Sequence, residues 1–262
     1  MNAGKEFPIM IHAFLLIGQS NAAGRGYLSE AEALDTNAGK LKVLRNGRWQ
    51  TMYRPVNPDR PFSGTSLAES FAKAYSDAHP DVEVGIIPCA DGGTTLLQWQ
   101  PGGLLFDNAV NCAKLAMRTA HLAGVLWHQG EGDCAQSDYL LYYERLRNII
   151  SALRNELNAQ DVPFLMGGLG DFLADCQLSD DLANYHHVND ALMRIDYDEN
   201  NCAFVCATGL GANPDNLHFS ANALKEFGLR YYAEYQKLSY GIALSDHEIE
   251  ESDHKGTKMG LL

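Results

Sequence analysis

The chain alternates between short, almost continuously apolar segments and longer amphipathic ones, and this alternation limits the possible folds more than any other feature. The apolar segments are followed by turn or helix signals. They predict buried strands over residues 11–17, 82–89, 124–128, 164–168 and 203–208. The amphipathic segments place apolar residues three and four positions apart, which predicts helices over residues 66–78, 108–120, 139–157, 185–193 and 221–237.

Strands that alternate with helices predict a three-layer α/β/α fold with a mostly parallel central sheet of about five strands. A hairpin-like piece over residues 41–49 lies between the first strand and the helix at residue 66, and we interpret it as an excursion within one domain. We expect that domain to cover residues 1–243. Residues 244–262 are acidic and lack an apolar period, so they are predicted to form a flexible tail.

The charge balance excludes two classes of partner. The chain has 33 acidic and 20 basic residues, a formal net charge of −13. Nucleic acids and anionic membranes bind to clustered cations, so we expect neither as a partner. The six cysteines form no CxxC pair, which predicts reduced thiols. The apolar run over residues 8–18 lacks the basic start of a signal peptide, so cytoplasmic residence is predicted.

In an open parallel sheet, ligands bind at the carboxyl ends of the strands, so polar residues at those ends are candidates for chemistry. Ser20 and Asn21 lie in the sequence GQSN directly after the first strand. A serine at a strand-to-helix turn can expose its hydroxyl beside the positive end of a helix, as a nucleophile requires. Ser and Asn are also common helix N-caps, and a capping role is the alternative.

Two later strand ends carry further candidate groups. Gly92 and Gly93 follow the strand that ends near residue 89, and their backbone N–H groups can approach a substrate closely, as an oxyanion hole requires. A tight turn is the alternative. His128, Gln129 and Glu131 follow the next strand. The Gln129 amide can donate N–H groups into a cleft, and the His128 imidazole and the Glu131 carboxylate can titrate there or orient their neighbours. A polar loop with a buried core histidine is the alternative there.

Asp215 and His218 lie three residues apart in a loop before the last predicted helix. An aspartate so placed can orient an imidazole that acts as a general base toward a serine on another loop. Metal binding is the alternative. The chain has no HExxH pair and no Cys-His grouping at zinc spacing, so we expect neither a metal ion nor another cofactor.

Taken in order, GQSN, HQGE and DNLH resemble the motifs of the SGNH (GDSL-like) hydrolases. Within that superfamily they resemble carbohydrate esterases such as the sialate O-acetylesterases and acetylxylan esterases. The resemblance implies an SGNH, flavodoxin-like fold in which Ser20 is the nucleophile, His218 its base and Asp215 the residue that orients the base. It also implies an oxyanion hole formed by the N–H of Ser20, the N–H of Gly93 and the side-chain amide of Gln129.

The same resemblance implies that Glu131 organises the site through hydrogen bonds, with His128 and Asn21 as further supporting residues. Sugar sites commonly combine aromatic stacking with a polar rim. Trp99 is a candidate for such stacking, with packing as the alternative. Arg25 and Arg54 are candidates for binding a carboxylated sugar such as sialic acid, with a solvated surface role as the alternative.

The predicted activity is hydrolysis of small acyl esters, with O-acetyl as the expected group, on a carbohydrate such as an acetylated xylan oligosaccharide or sialic acid. The expected partner is thus a small carbohydrate ester. Three alternatives remain at this point: a lipase or thioesterase on the same scaffold, a carbohydrate-binding protein without activity, and a nucleotide-binding protein. The last lacks the glycine fingerprint of a dinucleotide site.

Overall fold

The computed structural model describes the backbone of residues 10–258 and the side chains of residues 10–239. Its strands are β1 (Ile11–Gly18), β2 (Leu41–Arg45), β3 (Arg48–Thr51), β4 (Glu83–Pro88), β5 (Ala120–His128), β6 (Phe164–Gly167) and β7 (Cys202–Val205). Its helices are α1 (Ser20–Ala23), α2 (Leu67–Ala78), α3 (Leu104–Ala116), α4 (Gln136–Leu157), α5 (Tyr185–Asp198) and α6 (Ala221–Lys258).

The described strands form one seven-stranded sheet in the order β3-β2-β4-β1-β5-β6-β7. All neighbouring strands are parallel except β3, which is antiparallel to β2. The prediction of a mostly parallel sheet between helices is confirmed, and the five predicted strands are all present. The hairpin over residues 41–49 was wrongly interpreted as an excursion. Strand β2 buries Leu41 and Val43 and pairs with β4, so the hairpin extends the sheet.

Helices cover both faces of the sheet, and the central strand β1 contributes to both layers of core. Phe14 and Leu16 lie in a cluster of buried residues with side chains of α2 and α6. Leu15 and Ile17 lie in the opposite cluster, with side chains of α3, α4 and α5. Successive side chains of a strand point to opposite faces, so a strand covered on both sides must be apolar at every position. None of the helices within the described residues is long and apolar enough to cross a membrane.

The last helix extends beyond the predicted end of the domain. Helix α6 runs to Lys258, so residues 244–258 of the predicted tail have a helical backbone. The domain boundary at residue 243 and the mobility of the tail stay predictions. Residues 1–9 of the predicted domain and residues 259–262 of the predicted tail lie outside the described part of the chain.

Gly18 allows two of the candidate loops to run side by side. It ends β1 with a φ of +122°, and a Cβ at this position would lie 2.0 Å from the carbonyl oxygen of His128 at the end of β5. Glycine alone fits so close an approach. The next residue, Gln19, donates its backbone N–H to the same oxygen at 2.9 Å. The loops that follow β1 and β5 therefore leave the sheet in contact with each other.

Candidate active site

Ser20, His218 and Asp215 form a continuous hydrogen-bonded chain at the carboxyl edge of the sheet. The distance from His218 Nε2 to Ser20 Oγ is 3.1 Å, and the distance from His218 Nδ1 to Asp215 Oδ2 is 2.7 Å. Ser20 is the first residue of α1, and the other two lie in the loop between β7 and α6. A serine, an imidazole and a carboxylate in this order are the components of a nucleophile with its general base.

Asp215 holds both the imidazole and the backbone of its loop. Its Oδ1 accepts the backbone N–H groups of Leu217 and His218, at 2.9 and 3.0 Å. Burial by itself would raise the pKa of Asp215, but the hydrogen bonds from the His218 side chain and from these two N–H groups lower the pKa overall. The carboxylate therefore stays ionised at neutral pH, where it can stabilise a protonated His218.

Asn21 connects the serine turn to the histidine loop on both sides of His218. Its Oδ1 accepts the backbone N–H of Phe219 at 3.1 Å, and its Nδ2 donates to the carbonyl of Leu217 at 3.2 Å. The same Nδ2 donates to the Glu131 carboxylate, which is buried beneath the turn. This geometry agrees with the supporting roles predicted for Asn21 and Glu131.

His128 lies in the core beneath the active-site loops. The side chain is fully buried, its ring contacts Phe219 and Phe227 edge-on, and its Nε2 faces the carbonyl of Gly168 at 3.1 Å. Burial lowers the pKa of His128, so the ring is neutral and Nε2–H is the donor to that carbonyl. His128 supports the site from below and does not reach the cleft.

The Gly92-Gly93 pair lies against the serine, as an oxyanion loop must. A Cβ at Gly92 would lie 3.4 Å from Ser20 Cβ and 2.5 Å from the guanidinium of Arg25, so a side chain at this position would displace that guanidinium. The N–H of Gly92 donates to Asp59 Oδ2 at 2.9 Å. Gly93, with a φ of +75° and open space around its Cα, is the member of the pair that Asp59 does not engage. The arrangement agrees with the choice of Gly93 as donor.

Asp59 is a site residue that the sequence analysis missed. Its side chain is 4% exposed, forms a paired hydrogen bond with Arg25 at 2.6 and 3.0 Å, and accepts the hydroxyl of Ser63 as well as the N–H of Gly92. Burial by itself would raise the pKa of Asp59, but the bonds from Arg25 and Ser63 lower it overall. A buried carboxylate is therefore fixed directly behind the glycine pair.

Two neighbours of Asp59 hold the same loop. Asn57 pairs with both backbone groups of Ala90, at 2.9 and 3.0 Å. Arg60 donates to Asp91 at 2.7 Å and to the carbonyl of Gly92 at 2.9 Å. We define residues 57–63 as the glycine-loop clamp. These residues do not directly follow a predicted strand, so a search at strand ends could not find them.

The three substrate-binding candidates prove to be structural. Arg25 is buried and bound to Asp59 and to the carbonyl of Gly24. Arg54 lies in a different part of the surface from Ser20, where it pairs with Glu69 and donates to the backbone carbonyl of Glu32. Trp99 is 1% exposed, and its Nε1 donates to Thr94 within the core. An indole can stack on a sugar only if one face is accessible, and the packing of Trp99 removes that access.

Gln129 also differs from its predicted role. Its side chain is fully buried, and its amide nitrogen donates to Asp133 at 2.6 Å and to Gln19 and the carbonyl of Thr94 at 3.1 Å each. An amide has only two hydrogens, and these partners lie inside the protein. In this structure Gln129 connects the loops behind the serine and does not present a donor to the cleft. The Ser20 and Gly93 N–H groups are the remaining oxyanion candidates.

Comparison with known proteins shows the family to which the chain is similar. The profile of the family described as carbohydrate esterase, sialic acid-specific acetylesterase, matches residues 10–237. A protein named "probable carbohydrate esterase" from Arabidopsis thaliana is 26% identical over 248 residues, which cover 85% of this chain and 89% of that protein.

Solved structures share the fold. The crystal structure of the Arabidopsis protein superimposes with a TM-score of 0.74 at 24% identity, covering 88% of this chain and 99% of that one. NanS gives a TM-score of 0.71 at 17% identity, covering 89% and 99%. A carbohydrate acetylesterase from Xanthomonas citri gives 0.64 at 18% identity, covering 88% and 57%.

The fold and the family together define a carboxylic ester hydrolase of the SGNH type. Within that class, the chain belongs to the sialic acid-specific acetylesterase family of carbohydrate esterases. The resemblance inferred from the three sequence motifs is confirmed.

Proposed function

We propose that this protein is a serine esterase that removes O-acetyl groups from carbohydrates through an acyl-enzyme intermediate. The observation that carries the proposal is the hydrogen-bonded chain from Ser20 through His218 to Asp215. Membership in a family of acetylesterases supports the acetyl group and the carbohydrate. We also propose that the protein is cytoplasmic, and this part of the proposal rests on the sequence alone.

In the first step, Ser20 Oγ attacks the ester carbonyl while His218 Nε2 takes the hydroxyl proton. The negative charge that develops on the carbonyl oxygen is bound by the N–H groups of Ser20 and Gly93, and Asp215 stabilises the imidazolium. Collapse of the tetrahedral intermediate releases the sugar hydroxyl, which receives its proton from His218. Water, activated by the same imidazole, then attacks the acetyl-serine and releases acetate.

Substitution of the serine tests the central claim. Ser20→Ala should abolish nearly all turnover of p-nitrophenyl acetate and all covalent labelling by a fluorophosphonate probe, with an unchanged far-UV circular dichroism spectrum. Ser137→Ala is the matched control, because Ser137 is exposed at the start of α4, and it should label and turn over like wild type. Labelling of the Ser20→Ala protein at the wild-type rate would refute the nucleophile.

A series of acyl chain lengths separates the proposed acetylesterase from a lipase or thioesterase on the same scaffold. Acetyl, butyryl and octanoyl esters of p-nitrophenol should be hydrolysed with kcat/KM falling steeply along the series. A lipase would show the opposite order, because each additional buried methylene contributes about 0.8 kcal/mol of binding. Acetate release from acetylated xylo-oligosaccharides and from O-acetyl sialic acid then compares the two proposed sugar classes.

A further inference from the structure

The thiols of Cys89 and Cys112 hydrogen-bond to each other where the end of β4 packs against α3. Cys89 directly follows β4 and is 6% exposed, in the same core cluster as Ala109 and Ala113 of α3. Cys112 belongs to α3, is half-buried, and packs against that cluster. Both cysteines are free, so two reduced thiols are already in contact across this interface.

The two thiols differ in access and in acidity. The Cys112 sulfur also lies 3.8 Å from the side-chain oxygen of Asn108, which is exposed one turn earlier in α3, so Cys112 borders on solvent. The hydrogen bond from the Cys89 thiol lowers the pKa of Cys112 to about 7, and the same bond together with burial raises the pKa of Cys89. A large share of Cys112 is therefore a thiolate at neutral pH, and the thiolate is the form of cysteine that reacts with oxidants.

Two other buried thiols lack these properties. Burial raises the pKa of Cys202 to about 11, and burial also raises the pKa of Cys134. The Cys134 sulfur contacts the carbonyl of Gly130 at 3.4 Å, and the Cys202 sulfur contacts the guanidinium of Arg154 at 3.6 Å. Neither contact offers a second sulfur, so the chemistry of a dithiol belongs to Cys89 and Cys112.

Cys89 is joined directly to the glycine pair that lies against Ser20. Two residues after it, the N–H of Asp91 donates to the carbonyl of Gly18 at 3.0 Å, and the glycine pair follows immediately. A covalent bond is shorter than a hydrogen bond, so joining the two sulfurs draws the end of β4 toward α3. The chain passes this movement on to the N–H groups of the glycine pair.

We infer that Cys89 and Cys112 form a reversible disulfide when the protein meets a peroxide, and that this bond lowers turnover by displacing the glycine pair. The effect on turnover rests on the proposed function, because it acts on the N–H of Gly93 in the same site. The disulfide itself does not depend on that function.

The reaction needs only hydrogen peroxide as the oxidant. The Cys112 thiolate attacks one oxygen, the O–O bond breaks, and the released hydroxide takes up the proton that Cys112 lost and leaves as water. The Cys89 sulfur then attacks the resulting sulfenic acid. The S–O bond breaks as the S–S bond forms, and the hydroxide leaves with the Cys89 proton as a second water. Two thiols are oxidised to one disulfide, and one peroxide is reduced to two waters.

Peptide mapping tests the disulfide. The full chain is reduced, freed of reductant and treated with hydrogen peroxide at neutral pH, and the remaining thiols are then alkylated. Cleavage before aspartate residues separates the two cysteines, because Asp91 and Asp107 lie between them. We expect one linked pair of peptides, lighter by two hydrogens than the two reduced peptides, and dithiothreitol should separate them. Two alkylated peptides without a linked pair would overturn the inference.

Kinetics test the effect on the site. After peroxide, the wild-type kcat for p-nitrophenyl acetate should fall about tenfold and recover with dithiothreitol, because a displacement of about 1 Å at the reacting atoms can cost on the order of a hundredfold. Cys112→Ser, at a half-buried position outside the site, should keep its activity under the same treatment. Cys206→Ser, at an exposed cysteine, is the matched control and should lose activity like wild type. An equal loss in Cys112→Ser, or a linked pair with an unchanged kcat, would contradict the effect on turnover.

The two measurements also separate this inference from the proposed function. If the reduced protein hydrolyses acetyl esters in a Ser20-dependent manner but forms no linked pair, only the inference fails. If the reduced protein shows no Ser20-dependent hydrolysis, the proposed function fails, whatever the peptide map shows.

Discussion

Asn21 accepts a hydrogen bond of 3.1 Å from the backbone N–H of Phe219, so the residue after the proposed nucleophile is bonded to the residue after the proposed base. The two residues are 198 positions apart in the chain. A second bond from Asn21 to the carbonyl of Leu217 fixes the chain on the other side of His218. The Asn21 amide, which donates to the Glu131 carboxylate, therefore helps to fix the position of the imidazole relative to Ser20.

Replacement of this amide should impair catalysis more than binding. Asn21→Ala removes the bonds on both sides of His218, and a displacement of the base by about 1 Å can cost on the order of a hundredfold in rate. We expect kcat for p-nitrophenyl acetate to fall by that order with KM within about twofold of wild type. Asn222→Ala, at an exposed position of α6, is the control. A change confined to KM would contradict the positioning role.

Asp215→Asn tests the orientation of the imidazole. The asparagine can still accept the N–H groups of Leu217 and His218 through its oxygen, so the loop should fold. It can no longer offer a carboxylate to His218 Nδ1, and the imidazolium loses its stabilising charge. We expect kcat to fall about 10²–10⁴-fold, by analogy with the loss of the aspartate from other serine triads. Steady-state kinetics at pH 7, with the melting temperature as a control for folding, measure this effect.

Asp59→Asn should destabilise the protein and lower kcat, because it leaves Arg25 without its anion and releases the N–H of Gly92. Breaking a buried pair typically costs about 3–5 kcal/mol. Thermal unfolding and p-nitrophenyl acetate kinetics measure the two effects. Asp190→Asn, at an exposed position of α5, should leave both unchanged. A loss of stability with a normal kcat would show that the clamp does not position the glycine pair.

The same aspartate predicts a pH dependence of stability. Because the pKa of Asp59 is lowered in the folded protein, its contribution is complete above the ordinary aspartate pKa of about 3.9 and is lost as the pH falls through the lowered value. The difference in Tm between wild type and Asp59→Asn should therefore stay constant from pH 7 to about pH 5 and decrease at lower pH. A difference that instead grew on acidification would contradict the ion pair.

Gln129→Ala distinguishes an internal connector from an oxyanion donor. Loss of the amide removes its N–H donors from the buried Asp133 Oδ2, which keeps only the N–H of Leu96, and from the carbonyl of Thr94; such a loss typically costs about 1–3 kcal/mol. That cost should lower Tm by several degrees, at roughly 2–4 °C for each kcal/mol in a chain of this size. If kcat instead fell by about 10²–10³-fold with an unchanged Tm, Gln129 would be the oxyanion donor that the family motif implies.

Much of the candidate site could be predicted from the sequence because strand ends are local features. The apolar run that ends at Gly18 and the polar residues that follow it are adjacent in the chain, and so are β5 and the HQGE loop. Hydrophobic periodicity indicates where a strand ends, and the parallel arrangement brings the carboxyl ends of the strands together at one edge of the sheet. Ser20 and the glycine pair could therefore be predicted to lie at one edge before any contact was known, whereas His218 was assigned to the same site through the family motif.

The glycine-loop clamp could not be found in this way. Asp59 has no strand end beside it, and nothing near it in sequence indicates that it will meet Arg25 and Gly92. Such contacts join residues tens of positions apart, and local patterns carry no signal for them.

By itself, the sequence determined the parallel α/β architecture, the family and the residues of the proposed triad, because periodicity and motifs depend on residues that lie close together in the chain. Only the tertiary structure decided which polar side chains reach the cleft. Gln129 and Gln19 lie 110 positions apart and hydrogen-bond at 3.1 Å inside the protein. Burial and partner choice depend on such distant contacts, so an amide that the motif assigned to the oxyanion lies in the core, as do Arg25 and Trp99.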